Sequence, residues 1–177
     1  RLNISAPQVM QIAQRLYEGV DTANGNVALI TYMRTDSLRI SEEARQATDA
    51  YIRENYGEKY LPEKPRYYKS RSNAQDGHEA IRPSYIERQE IDGTAAEKRL
   101  YELIWKRTVA SQMVPAELDR TQIVIDMSRR GEQFVAQGEV VRFDGFLRLY
   151  SESVDEEQTS GENSQAVLPK MNVGDSV

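Results

Sequence analysis

The sequence predicts an α+β protein, a mainly helical region followed by a β-rich piece, with the boundary near residue 117. Three observations predict it. Apolar residues recur at helical spacing behind capping residues through the first two thirds of the chain. From Asp119 the pattern changes to a period of two, as in half-buried strands. No internal repeat is present, and 177 residues suit one compact domain plus part of another.

Ser5 with Gln8 forms a capping-box pattern, and Val9, Ile12, Ala13 and Leu16 supply the apolar stripe of a first helix that ends near Gly19. Val27 to Thr31 is a short apolar and β-branched run that reads as a buried strand. Ser41 caps a second helix, with Glu42 and Glu43 placed favourably against the helix dipole. That helix ends near Gly57, and Pro62 and Pro65 keep the next segment irregular. Thr94 and Glu97 form another capping box, before a helix carrying Leu100, Leu103, Ile104 and Val109, which Pro115 closes. Thr121, Ile123, Ile125 and Met127 then alternate along a strand. Ser128 to Gly131 reads as a turn, Phe134 to Val141 as the return strand, and Asp144-Gly145 as a second hairpin signal. A polar, acidic loop covers Ser151 to Gln165.

Composition narrows the function classes. The chain is 39% hydrophobic and 29% charged, a globular profile, and has no cysteine for disulfides or thiolate metal sites. No apolar run approaches the roughly 20 residues of a membrane-spanning helix, and no signal-peptide pattern is present. These features suit a cytoplasmic protein. A start at Arg1 and a stop at Val177 in mid-pattern suggest a piece of a longer chain. The formal charge is −5, against the basic balance usual for nucleic-acid binding. The excess acid lies wholly in residues 119–177, however, and residues 1–118 are neutral. Within the neutral part, Lys59, Lys64, Arg66, Lys69 and Arg71 are interleaved with Tyr60, Tyr67 and Tyr68. Cations beside aromatic faces suit a groove for single-stranded nucleic acid, and equally a solvated loop whose tyrosines pack on a neighbouring helix.

Two segments concentrate chemistry. The run Leu29-Ile30-Thr31-Tyr32-Met33-Arg34-Thr35-Asp36-Ser37 brings a phenol, a guanidinium, a carboxylate and hydroxyls together at the end of an apolar stretch. A phenol is a weak nucleophile at neutral pH because its reference pKa is about 10, so attack on phosphorus requires nearby positive charge or a proton acceptor. Arg34 can supply a fixed charge with bidentate geometry, and Asp36 can orient Arg34 or His78. The second segment is Gly77-His78-Glu79-Ala80-Ile81-Arg82-Pro83, which holds the chain's only histidine. Imidazole can donate to a phosphate oxygen or move a proton near neutrality. Taken singly, such residues more often mean a packed or interfacial tyrosine and a surface or capping histidine. No second histidine follows at metalloprotease spacing.

Together, TYMRTDS and HEAIRPS resemble the two signature segments of bacterial type IA DNA topoisomerases. LITYMRTDSLRIS, YGEKYLP, SNAQDGHEAIRP, LIWKRTVASQM and VVRFDGF resemble consecutive landmarks of that family, so the likeness covers nearly the whole chain in order. Met33, and Glu79 followed by Arg82, are similar to the topoisomerase I branch. Gly77 departs from the larger residue common in the family before this histidine.

The resemblance implies that Tyr32 attacks a phosphodiester of single-stranded DNA, forming a 5′-phosphotyrosine link, and that strand passage and religation follow without ATP. It implies that Arg34 and His78 act at the scissile phosphate. It implies DNA contacts from Thr35, Asp36, Ser37, Glu79, Arg82, Lys59, Arg66, Tyr68, Lys69 and Arg71. Residues 1–117 would be a helical, helix-turn-helix-like domain carrying the tyrosine, and 118–177 part of a β-rich arch that opens as a gate. Magnesium would be bound by a separate domain of the full-length enzyme. No Asp-x-Asp-x-Glu occurs here, and the acidic run Asp155-Glu156-Glu157 lies in the polar loop. The expected partners are therefore single-stranded DNA and the remaining topoisomerase domains, in the bacterial cytoplasm at the nucleoid, with no membrane. The chain alone would be inactive.

Overall fold

A computed structural model describes residues 4–22, 25–33, 36–68, 78–127, 130–151 and Gly174, with the side chains of 20–22 and 151 left aside. The fold is α+β. In order, the chain forms α1 (Ala6–Glu18), β1 (Val20–Thr22), β2 (Gly25–Val27), α2 (Glu42–Asn55), a 3-10 turn (Glu58–Tyr60) and α3 (Ala95–Gln112). It continues through β3 (Glu117–Asp126), β4 (Gln133–Phe143), a second 3-10 turn (Gly145–Leu147) and α4 (Arg148–Ser151). These elements divide into two compact units, Arg1–Val114 and Pro115–Val177.

In the first unit the helices begin where side chains satisfy their free N–H groups. The Gln8 side chain accepts from the Ser5 N–H at 3.0 Å, and the Ser41 hydroxyl accepts from the Ala44 N–H at 3.3 Å. At α3 the exchange is reciprocal: the Thr94 N–H donates to Glu97 Oε2 at 2.8 Å, and the Glu97 N–H donates to the Thr94 hydroxyl at 3.3 Å. α1 and α2 both pack against α3. Leu16, Ile52, Tyr101, Trp105 and Val109 are almost fully buried there, and the Tyr51 ring stands edge-on to Trp105 at 5.5 Å.

The buried face of α3 runs through Leu100, Tyr101, Trp105, Thr108, Val109 and Gln112, whereas Leu103 and Ile104 are only half-buried. The apolar stripe expected from sequence is thus rotated toward the aromatics. The reason is that each ring finds a polar partner inside. Trp105 Nε1 donates to the Ile86 carbonyl at 2.8 Å, and the Tyr101 hydroxyl donates to the Arg88 carbonyl at 2.6 Å.

The strand expected over Val27 to Thr31 is only partly realised. Val27 ends a β1–β2 hairpin that the apolar pattern did not announce, with Val20 opposite Val27 and Thr22 opposite Gly25. Residues 28–31 form no strand and, among the described residues, pair through one isolated antiparallel bridge between Ile30 and Pro83. The ladder stops because its next two donors bond elsewhere, the Leu29 N–H to the Leu16 carbonyl and the Arg82 N–H to the Thr31 hydroxyl. Gly19 makes the turn from α1 into the hairpin: its φ is 101°, and a Cβ there would lie 2.9 Å from the Val27 carbonyl carbon.

In the second unit β3 and β4 form an antiparallel ribbon from Glu117 opposite Phe143 to Asp126 opposite Gln133, with an irregularity at Glu117–Leu118. Ile123 and Ile125 are half-buried and alternate with exposed Gln122, Val124 and Asp126, as the period of two predicts. Ser128 and Arg129, in the expected turn, lie outside the described residues. Asp144-Gly145 does not start a second hairpin. Gly145 has φ 47°, and a Cβ on it would fall 2.4 Å from the Pro115 carbonyl oxygen. The chain folds back onto Pro115 and Ala116, then enters α4, where Leu149 is buried.

Candidate active site

The two chemistry-bearing segments meet. Leu29 and Ile30 are 1% exposed and Met33 is buried, which anchors the stretch on both sides of Tyr32, whose own side chain is half exposed. The Leu29 N–H donates to the Leu16 carbonyl at 2.8 Å and ties this stretch to the end of α1. On its other edge, the Thr31 N–H donates to the Arg82 carbonyl and the Ser84 N–H to the Leu29 carbonyl, both at 2.9 Å. The Thr31 side chain completes the join, donating to the Ala80 carbonyl at 2.7 Å and accepting from the Arg82 N–H at 3.0 Å. Sequence reading gave Thr31 no role. Its position beside Tyr32 was visible, but its partners lie about fifty positions away.

The 78–84 segment is fixed from three sides. The Ser37 hydroxyl, itself buried, donates to the His78 carbonyl at 2.8 Å. The Ala80 N–H donates to the Arg39 carbonyl at 2.7 Å. Farther along, the bonds from Trp105 and Tyr101 hold the backbone at Ile86 and Arg88. Burial pushes the Tyr101 phenol up to about 12, with Arg88 acting weakly in the opposite sense, so it remains a protonated donor.

The result is a shallow cleft of about 220 Å³ lined by Thr31, Tyr32, His78 and Glu79. The Tyr32 and His78 ring centroids are 6.3 Å apart, and the Tyr17 ring of α1 stands 5.2 Å from that of Tyr32. His78 Nδ1 is 3.8 Å from Asp36 Oδ2, an electrostatic contact longer than a hydrogen bond. The Arg82 guanidinium pairs with Glu79 Oε2 at 2.6 Å and donates to the Pro83 carbonyl at 2.9 Å. Arg82 therefore braces Glu79 beneath the cleft. Tyr17 was another omission of the sequence reading; its place four residues after Ala13, at the edge of the apolar stripe of α1, was the available signal.

The basic stretch divides. Tyr60 is 5% exposed and packs in the core beside Tyr56, because the Glu58–Tyr60 turn faces it inward, so it cannot serve as a stacking surface. Tyr67 is exposed, while the partly exposed Tyr68 donates its hydroxyl to the Ser111 carbonyl of α3 at 2.7 Å. Lys59 is exposed and lies over the Tyr60 ring. Arg66 lines a second hollow together with Arg53, Asp49, Glu58 and Glu63, a mixed rather than a purely basic surface. Burial raises the Asp49 carboxyl there, against the pull of Arg45. Arg34, Thr35, Lys69, Arg71 and Gly77 lie outside the described residues, as does nearly all of the 151–165 loop.

Comparison with known proteins gives the family. A family described as DNA topoisomerase matches residues 1–177. DNA topoisomerase 1 of Rickettsia bellii (strain RML369-C) is 43% identical over 97% of the chain, and that of Rickettsia felis is similar to the same degree. The chain spans 22% of the length of each of these relatives. The structure of full-length topoisomerase I from Thermotoga maritima superposes with a TM-score of 0.70 at 36% identity, covering 92% of this chain and 26% of that one. With sequence and fold both matched along nearly its whole length, the chain belongs to the DNA topoisomerase family.

Proposed function

We propose that this chain is the tyrosine-bearing part of an ATP-independent type IA DNA topoisomerase, in which Tyr32 attacks a phosphodiester of single-stranded DNA. The Tyr32 oxygen forms a bond to phosphorus as the bond to the 3′ oxygen breaks, leaving a 5′-phosphotyrosine and a 3′-hydroxyl. After strand passage the 3′-hydroxyl attacks in reverse, so relaxation of negative supercoils needs no external energy source.

One observation carries the reading: Tyr32 is half exposed at a cleft that it shares with His78, rather than packed away. A tyrosine with a purely structural role, in a non-catalytic binding module or a hinge, would bury its hydroxyl. His78 would donate to a phosphate oxygen, with Asp36 orienting its ring, and Arg34 would stabilise charge developing in the transition state. Glu79, braced by Arg82, closes the floor. Thr35, Asp36, Ser37, Lys59, Arg66, Tyr68, Lys69 and Arg71 are the remaining candidates for holding the strand. Residues 1–117 would form the tyrosine domain and 118–177 part of the gate arch, acting with the other topoisomerase domains in the cytoplasm.

Among the described residues no group of three histidine, cysteine or carboxylate side chains converges on a common point, so none of them offers a site for the magnesium that the family resemblance implies. Its ligands would belong to another domain, and the chain alone should not relax DNA.

The test is Tyr32→Phe in the full-length enzyme containing this sequence. Only a hydroxyl is lost, so DNA binding should persist while the covalent adduct, trapped on labelled DNA under denaturing conditions, disappears. Adduct formed by the mutant would refute the assignment.

A further inference from the structure

We infer that Tyr17 is a positioning residue for Tyr32, its ring holding the Tyr32 phenol in the pose that faces the cleft. The inference rests on Tyr32 being the nucleophile. Tyr17, one helical turn beyond buried Ala13, sits at the edge of the buried face of α1 and is 37% exposed, so the core covers it only in part. Its ring meets that of Tyr32 at 5.2 Å and 60°, within the tilted range where a positive ring edge addresses a negative ring face. His78 lines the cleft with Tyr32, whereas Tyr17 does not, so Tyr32 is flanked by one ring inside the cleft and one outside it.

Tyr17 can act this way because its own backbone is fixed. The preceding residue, Leu16, is fully buried, and its carbonyl accepts the Leu29 N–H at 2.8 Å. The Gly19 N–H closes the helix on the Arg15 carbonyl at 2.9 Å. The same link joins the end of α1 to the stretch that bears the nucleophile, so the two rings keep their spacing. A half-exposed tyrosine without such a neighbour would sample several staggered side-chain states. In-line attack on phosphorus needs one orientation, and time spent in the others subtracts directly from the rate.

The ring, rather than the hydroxyl, does this work. Removing one aromatic pair should therefore slow adduct formation roughly 3- to 10-fold. The experiment compares Tyr17→Phe, Tyr17→Leu and Tyr17→Ala in the full-length enzyme, measuring single-turnover adduct formation and single-strand affinity separately. Alanine and leucine are expected to slow the chemical step with affinity unchanged, and phenylalanine to restore it. Leucine retains apolar bulk, so the comparison survives if the alanine protein does not fold. Wild-type rates in both alanine and leucine proteins would overturn the inference. So would a phenylalanine protein as slow as alanine, or a loss confined to affinity, which would make Tyr17 a DNA contact. Failure of the underlying reading is distinct: it would appear as adduct formed by Tyr32→Phe.

Discussion

The β3–β4 ribbon and the cleft around Tyr32 are built on opposite plans. The ribbon has a continuous ladder from Leu118 to Asp126, yet Val124, Phe134, Val135 and Val140 are all about half exposed or more. Among its described residues the cleft has a single bridge, Ile30–Pro83, in place of a ladder, yet Leu29, Ile30, Met33 and Ser37 are buried. Regular hydrogen bonding and burial are thus separate sources of order. In the cleft, order comes from side chains that reach across the sequence to satisfy backbone groups: Thr31 to Ala80 and Arg82, Ser37 to His78, and Trp105 to Ile86. A site made this way can leave one reactive ring exposed on a fixed base, whereas the ribbon leaves most of its residues exposed.

Breaking the cross-links should therefore cost far more than altering the ribbon. Trp105→Ala removes a 1% exposed ring and leaves the Ile86 carbonyl without its donor, and should destabilise the first unit by about 3–5 kcal/mol. Denaturant unfolding measures it; a loss under 1 kcal/mol, on the scale of an ordinary surface change, would mean that this clamp is dispensable. Next comes Thr31→Val, which keeps the shape but strips the hydroxyl bonded to Ala80 and Arg82. It should cost about 1–3 kcal/mol, and in the full-length enzyme cleavage should fall while strand binding is kept. Wild-type cleavage would show that the join between the two segments does not hold the site.

Thr94→Ala tests the helix that carries the clamp and should cost about 1 kcal/mol. It has a pH signature. The Thr94 backbone N–H, then its hydroxyl, hold the Glu97 carboxyl below its ordinary value. A lowered folded-state value means stability that is fully present above the unfolded carboxylate range, about 4.3, and lost as pH falls through the folded value. Glu97→Gln should accordingly flatten the acid limb of the stability curve, and an unchanged limb would count against this role. The smallest effect belongs to the ribbon. Arg120 faces Glu139 in register with a 3.1 Å contact, but both side chains are exposed, so a double-mutant cycle should give about 0.2–1 kcal/mol, shrinking with salt. A coupling as large as the Thr31 effect would erase the contrast between the two regions.

The sequence by itself determined what short-range physics controls. Ser41 and Thr94 cap helices because a side-chain oxygen reaches N–H groups three residues on, and Gly19 and Gly57 end α1 and α2 because glycine accepts their positive φ. The alternation from Thr121 to Met127 fixed the ribbon, and TYMRTDS with HEAIRPS fixed the family. Only the tertiary structure decided the rest. It bonded the Leu29 N–H to Leu16 and the Arg82 N–H to the Thr31 hydroxyl and so stopped the expected strand, buried Tyr60 while leaving Tyr67 exposed, and turned Asp144-Gly145 into a helix start against Pro115. It also set Tyr17 beside Tyr32. The physical reason is range. A cap or an alternation is decided by neighbours along the chain, whereas these partners are distant in sequence, and their pairing depends on how α3 draws the intervening chain together.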